Sequence, residues 1–375
     1  MGLWDAIPHI FLEVALVFTW ITAAIGFAAG LLLSFVLIAA APRIGWVDHP
    51  DQRRKCHNHP MALTGGLVLW AVVLVSQLMG WLPWPLHRVD WVGINAMALM
   101  GALDDRFDLR ARYKAVVGLV VAVLLAGYSS SVLLHTVDHV NFLSLRIPTY
   151  PALTFPFLFF WFWSIPQAYN LIDGVNGLSM GLGLLLLGIL GWHMGAQPMV
   201  LWGAMVATLA LNFPRAKHFL GDCGAMMLGT LFAVLSVRLF VSWNASLPIW
   251  VFAYPIVDVT MVVAIRHWNG QPLGKADRSH LHHWMMDRLN NQAWLATPIL
   301  LVFAALPMLR ATEIPGARAI SLGGGLALLA LGAKAFRDRT KKPKFVERRF
   351  TPVRRELTFI SDSETTAVSR SQRAV

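Results

Sequence analysis

Charge is scarce in this chain: 14% of its 375 residues are Asp, Glu, Lys or Arg, against 57% hydrophobic. That is too little charge to dress a surface in contact with water, which excludes an ordinary soluble domain. Cysteine is rarer still. The two present, Cys56 and Cys223, fall in segments expected to face a reducing compartment, so no structural disulfide is expected. The phosphate loop GxxxxGK[ST] and the dinucleotide fingerprint are both missing, which disfavours a P-loop nucleotidase. Internal repeats are absent by eye. The first residues, MGLWDAIPHIFLE, hold two acids and no Lys or Arg. They lack the positive region of a cleaved secretory signal, and the N-terminus is expected to face outward.

Long apolar runs take the place of charge: 11–39, 65–82, 91–103, 114–134, 151–169, 178–194, 199–213, 223–242, 247–265, 294–309 and 318–335. Most approach the roughly 20 residues that a helix needs to cross a bilayer. Runs 91–103 and 199–213 are short and must borrow flanking residues. The expected fold is all-α, a polytopic integral membrane protein with ten or eleven transmembrane helices over 1–336. A basic, disordered tail is expected over 337–375.

The loops alternate in charge. With eleven spans, one side receives 25 of the 31 Lys and Arg residues, which the positive-inside rule places in the cytoplasm. Eleven of those lie between Arg337 and Arg373 and account for most of the net +11. Such a tail suits anionic lipid headgroups; no nucleic-acid-binding module accompanies it.

Every dense polar stretch falls on that same side, in loops 47–66, 103–114, 170–177, 214–224 and 266–283. In LDDRFDL (103–109), Asp104 and Asp105 follow an apolar run directly. Adjacent carboxylates raise each other's proton affinity unless a cation intervenes. They read either as a solvated helix end or as a pair that holds Mg²⁺ or takes a proton. NLIDGVNG (170–177) holds two turn dipeptides, Asp173–Gly174 and Asn176–Gly177, that let backbone approach a ligand. In FLGDCG (219–224), Asp222 is an N-cap or a metal ligand, with Phe219 as a stacking surface. Asp258 sits inside an apolar run and reads as structural, whereas Arg266, two turns on, reads as ligand-facing.

Taken in order, RKCH…TGG, LDDRFDL, NLIDGVNGL, NFPRAKHFLGDCG, PIVDVTMVVAIR and DRSHLHH resemble the polyprenyl-phosphate N-acetylhexosamine-1-phosphate transferases. The likeness spans about residues 45–290 and points to the branch that uses UDP-N-acetylglucosamine. It implies transfer of N-acetylhexosamine 1-phosphate from a UDP-sugar to undecaprenyl phosphate, releasing UMP, at the cytoplasmic face of a bacterial inner membrane. The product would start a surface glycan such as O-antigen.

The same resemblance assigns roles. Asp222 would ligate Mg²⁺, with Mn²⁺ as an alternative, and Phe219 would stack on uracil beside Asn212. Asp104 and Asp105 would serve the lipid phosphate or the metal, one of them as base. Asn170 and Asp173 would line the nucleotide-sugar pocket. Lys55, His57, Arg266 and the loop carrying His280, His282 and His283 would hold phosphates or sugar. The implied partners are a UDP-N-acetylhexosamine, undecaprenyl phosphate and the lipid bilayer, with a homodimer left open and no nucleic acid. Asn176 departs from the usual second acid of the DGxDG pattern, which puts an essential carboxylate there in doubt. Ala62 replaces a common proline, and Cys223 a small residue.

Three histidines within DRSHLHHW (277–284) first suggest zinc. A structural zinc site wants four closed ligands, and no Cys or further His pair stands nearby in sequence. On a continuous helix His280 and His283 would share a face, with His282 turned away. The cluster therefore reads as a polar clamp over the donor's phosphates or sugar. A transporter is the main rival, but its acids are expected near the membrane midplane in two related halves.

Overall fold

The computed structural model describes residues 3–49, 59–84, 86–142, 145–242, 246–272, 278–312 and 314–340. The expected ligands Lys55 and His57 lie outside these residues, as does the tail from 341 onward.

In hydrocarbon a chain must satisfy its own backbone hydrogen bonds, and a helix does so within one segment. Each apolar run accordingly becomes helical. In order they are α1 (Leu3–Ile44), α2 (Gly65–Leu78), α3 (Arg88–Phe107), α4 (Ala111–Thr136), α5 (Pro151–Leu171), α6 (Leu178–His193), α7 (Met199–Asn212) and α8 (Gly221–Ser242). Then come α9 (Leu247–Val251), α10 (Ala253–Trp268), α11 (Leu281–Arg288), α12 (Ala293–Met308) and α13 (Ala317–Thr340). The run 247–265 is divided between α9 and α10 at Phe252. Pro255 there lacks the N–H that would bond the Val251 carbonyl. Helix α11 corresponds to no apolar run, and α13 extends through Arg337–Thr340, residues expected to belong to the tail.

Among the described residues, five segments are long and apolar enough to cross a membrane: Thr19–Ile44, α4, Gly221–Arg238, Ala293–Ala311 and α13. The protein is an all-α polytopic membrane protein. Two small antiparallel ribbons interrupt the helices, β1 (Val47–Asp48) with β2 (Met61–Ala62), and β3 (His139–Phe142) with β4 (Leu145–Pro148).

Helix α8 is the axis. Of its apolar window 89% is buried, against 17% for Thr19–Ile44 of α1, so α8 is solvated by protein and α1 by lipid. A helix apolar on all sides is stable only in one of those two surroundings. Around α8 pack α3, α5, α2 and α6, while α1 lies on α7 and α13 on α10 and α12. Trp161 of α5 donates its indole N–H to Ser236 of α8 at 3.0 Å. Phe162, Tyr169 and Phe232 fill the same interface. The outer surface stays apolar: Leu32, Phe35 and Val36 of α1, and Val116, Val120 and Val123 of α4, are exposed.

Candidate active site

The apolar stretch of α3 ends at Leu103, and its last turn carries Asp104 and Asp105 beyond it. A helix C-terminus is the negative end of the backbone dipole, so two carboxylates there are disfavoured unless donors meet them. Two kinds of donor do. Asp105 reaches the N-terminus of α8, where its Oδ1 accepts the Asp222 N–H at 2.8 Å and its Oδ2 the Cys223 N–H at 3.0 Å. Asp105 thus does the capping that the sequence alone allowed for Asp222. The approach needs glycine at 221: its φ is +73°, and a Cβ there would lie 2.6 Å from Asp105 Oδ2.

Asp104 meets a cation. Lys114, in the first turn of α4, donates from Nζ to Asp104 Oδ2 at 2.8 Å and to Asp222 Oδ2 at 2.9 Å. The other Asp104 oxygen accepts the Leu109 N–H at 2.9 Å. One ammonium therefore draws together carboxylates 118 residues apart in sequence, Asp104 and Asp222. Asp108 stands apart, closing α3 in a left-handed conformation with φ of 47°.

The turn after α5 supplies the fourth acid. Asp173 accepts from the Ser179 hydroxyl at the start of α6 and from the Gly221 N–H. The Asn170 carbonyl, at the end of α5, receives the Asp173 N–H at 3.2 Å. Asn176 donates its amide to the Pro214 carbonyl at 3.2 Å. An ionised Asp could not make that bond, which accounts for the amide where an acid is usual.

Crowding sets the charges. Burial, then the hydrogen bond to Asp222, pushes Asp104 up to about 6, with Lys114 pulling the other way. Burial and the Asp222 charge push Asp105 up to about 8, opposed by the two amides it caps. Asp173 rises to about 6, chiefly through burial.

Asn212 is buried, and both ends of its amide are engaged. Its Oδ1 accepts the Gly177 N–H at 2.6 Å, and its Nδ2 donates to the His218 carbonyl at 2.8 Å. The His218 ring, also buried, lies 3.2 Å from Thr64 Oγ1 and 3.3 Å from the Thr208 carbonyl. Only a donor can meet that carbonyl, so Nε2 carries the proton and Nδ1 accepts from Thr64. Phe219 is half-buried beside them, its N–H bonded to the Ala62 carbonyl of β2 at 2.8 Å.

A second polar cluster adjoins the first. Asp258 of α10 is fully buried; it accepts from His280 Nδ1 at 2.7 Å and from the Leu281 N–H at 2.6 Å. This corrects the expected histidine geometry. Helix α11 begins only at Leu281, so His280 is its N-cap and stacks on His282, with ring centroids 5.3 Å apart. His282 is fully buried, while His283 is half-buried. Burial, then the charges of its neighbours, holds His282 far below the usual imidazole range, and His283 is lowered to about 4 by burial and Arg278. Both are neutral at pH 7. Arg266 is buried on the same face of α10 as Asp258. At Gly174 the two clusters touch: a Cβ there would lie 2.5 Å from His282 Nε2, so only glycine lets the Asp173 turn pass.

Asp104, Asp105, Asp173 and Asp222 are thus gathered at one end of the bundle, and Asp258 joins the histidines. Sequence reasoning missed Lys114. Its signal was faint: a single basic residue opening an apolar run ten positions after Asp104.

A family model described as glycosyl transferase family 4 matches residues 88–240, the stretch that holds all four gathered aspartates and Lys114. The chain is 30% identical over 270 residues to a probable undecaprenyl-phosphate N-acetylglucosaminyl 1-phosphate transferase of Bacillus subtilis, covering 68% of this chain and 74% of that one. It is also similar to the undecaprenyl-phosphate alpha-N-acetylglucosaminyl 1-phosphate transferase of Yersinia pestis, at 28% identity over 67% of this chain and 72% of the relative. The protein of that name from Escherichia coli is 27% identical, over 68% and 73%.

Proposed function

Since the chain belongs to glycosyl transferase family 4, we propose that it transfers N-acetylglucosamine 1-phosphate from UDP-N-acetylglucosamine to undecaprenyl phosphate, releasing UMP. The observation that carries this reading is Lys114 Nζ held between Asp104 and Asp222 at 2.8 and 2.9 Å. Carboxylate oxygens from two helices converge there on one cationic point, at an end of the bundle where a lipid phosphate would lie.

That donor set fits Mg²⁺, which takes one or two carboxylates together with substrate phosphates; Mn²⁺ accepts the same oxygens. Asp222 would hold the ion. When bound, it would neutralise the charge that makes two phosphate-bearing substrates repel. The protein's own groups do the rest. Lys114 supplies a fixed positive charge. Asp104, with a proton affinity near neutrality, is suited to take the proton of the attacking lipid phosphate. Asp105 acts by fixing the start of α8 and hence Asp222. Asp173 and Asn170 line the donor side, and Phe219 offers its ring to uracil. Asn212 works through the backbone of Gly177 and His218. Arg266, Arg278 and the half-buried His283 face the donor's phosphates, whereas His280 and His282 lie behind them.

The basic loops support a cytoplasmic orientation for this end, in the inner membrane of a bacterium. The lipid-linked sugar would begin a surface glycan. The test uses full-length protein in detergent with undecaprenyl phosphate, Mg²⁺ and UDP-N-acetylglucosamine, and measures UMP. UMP release is expected. Release only from another UDP-amino sugar would change the donor; none from any nucleotide sugar would overturn the reaction.

A further inference from the structure

His282 presents an unmet need. Its side chain is fully buried, and among the described residues neither ring nitrogen has a hydrogen-bond partner. Leaving a buried polar group unmatched is destabilising. Beside it stand a carboxylate with no exposure, Asp258, and a second imidazole at 4% exposure, His280. One ligand atom from each of the three lies within 4.8 Å of the others. The three arrive from different places: the interior of α10, the residue that opens α11, and the first turn of α11.

We propose that Asp258, His280 and His282 hold a divalent transition-metal ion of the zinc type, distinct from the cation at the aspartates. Two imidazoles with one carboxylate suit zinc and its neighbours in sites that keep a position open. Mg²⁺ prefers all-oxygen surroundings, so the two clusters would select different ions. His280 Nδ1 and Asp258 Oδ2 are 2.7 Å apart, with a proton between them. The ion takes the place of that proton, and the pair widens to about 3.4 Å, as two bonds of about 2.0–2.2 Å near the tetrahedral angle require. The Leu281 N–H, 2.6 Å from Asp258 Oδ1, keeps the carboxylate oriented while this happens. Four closed ligands, the demand that made zinc implausible from the sequence, are not needed where a position stays open. Asp258, 22 residues before His280, supplies the third ligand. The ion would pin α11 to α10 beside Gly174 and the Asp173 turn.

The experiment needs no turnover. Full-length protein carrying a histidine-free affinity tag is purified in detergent, loaded with Zn²⁺ in excess Mg²⁺, desalted and analysed for metal. A parallel sample is loaded with Co²⁺ and read by visible absorption. About one ion per chain and ligand-field bands from Co²⁺ are expected. Asp222→Asn should keep both. His282→Gln should lower occupancy at least about tenfold, with size-exclusion elution unchanged to separate a lost ligand from a lost fold. Should that variant elute abnormally, the wild-type occupancy and cobalt spectrum decide. A wild-type chain without stoichiometric metal or cobalt bands overturns the proposal, as does a normally eluting His282→Gln chain that keeps its ion. Either failure leaves UMP release unaffected as a test of the transferase reading.

Discussion

The two ends of α3 treat aspartate in opposite ways. In its first turn Asp90 is buried at 4% exposure and accepts the His87 N–H at 2.8 Å. The His87 ring in turn accepts the Val89 N–H at 3.3 Å and stacks on Tyr128, with centroids 4.3 Å apart. Burial raises the proton affinity of Asp90, but there the helix dipole, the capping box and Arg238 at 4.0 Å work against that and favour a negative charge. At the far end the dipole opposes Asp104 and Asp105, and they oppose each other. A carboxylate at the favourable end stabilises the helix. Carboxylates at the unfavourable end are retained at a cost that an active site explains and a stability requirement does not.

Three measurements can break or sharpen that contrast. The largest effect is expected from Asp104→Asn, which keeps the shape and removes the charge facing Lys114. UMP formation should fall on the order of 100- to 1,000-fold, while the thermal midpoint in detergent holds or rises because a repulsion is relieved. A variant that stays active, or that melts as an N-cap loss would, erases the distinction between the ends. Second is the acid limb of the pH–rate profile. Asp104, raised to about 6, takes up a proton as pH falls through that value. kcat/KM should then drop about tenfold per pH unit. Because a cation favours the ionised form, more Mg²⁺ should move the limb lower. A limb near the ordinary carboxylate range at every Mg²⁺ concentration would mean that the far end is not under electrostatic stress. The smallest effect belongs to Asp90→Ala. Stability should fall by about 1 kcal/mol, read as a lower thermal midpoint, with UMP formed per folded molecule unchanged. Lost activity in folded protein would make Asp90 more than a cap.

The helices were legible because hydrocarbon leaves a chain few choices. Apolar runs of spanning length must be helical, and acids at their ends stand out against the background. Asp104, Asp105, Asp173 and Asp222 could be picked out for that reason. What sequence could not supply was which residue meets which. A cap is sought next to the helix it caps, yet α8 is capped by Asp105. A counter-ion is sought one turn away, yet Lys114 joins Asp104 to an acid on another helix. The histidines were placed on a continuous helix, whereas the Leu281 N–H bonds to Asp258 and α11 starts one residue after His280. Each of these is a tertiary pairing, which helical periodicity does not encode.

Asp105 caps a helix by accepting the N–H of a residue 117 positions after it in the chain, and that interval has a meaning for biosynthesis. As the chain enters the membrane, α3 arrives with both acids long before the amides of α8 exist to receive one of them. Helices α4 to α7 must be inserted while that end of α3 remains incomplete. The polar end of the bundle is therefore finished late, once its axis, α8, has been made. A chain stalled before residue 221 would resemble a membrane protein in every respect but the one that gives it chemistry.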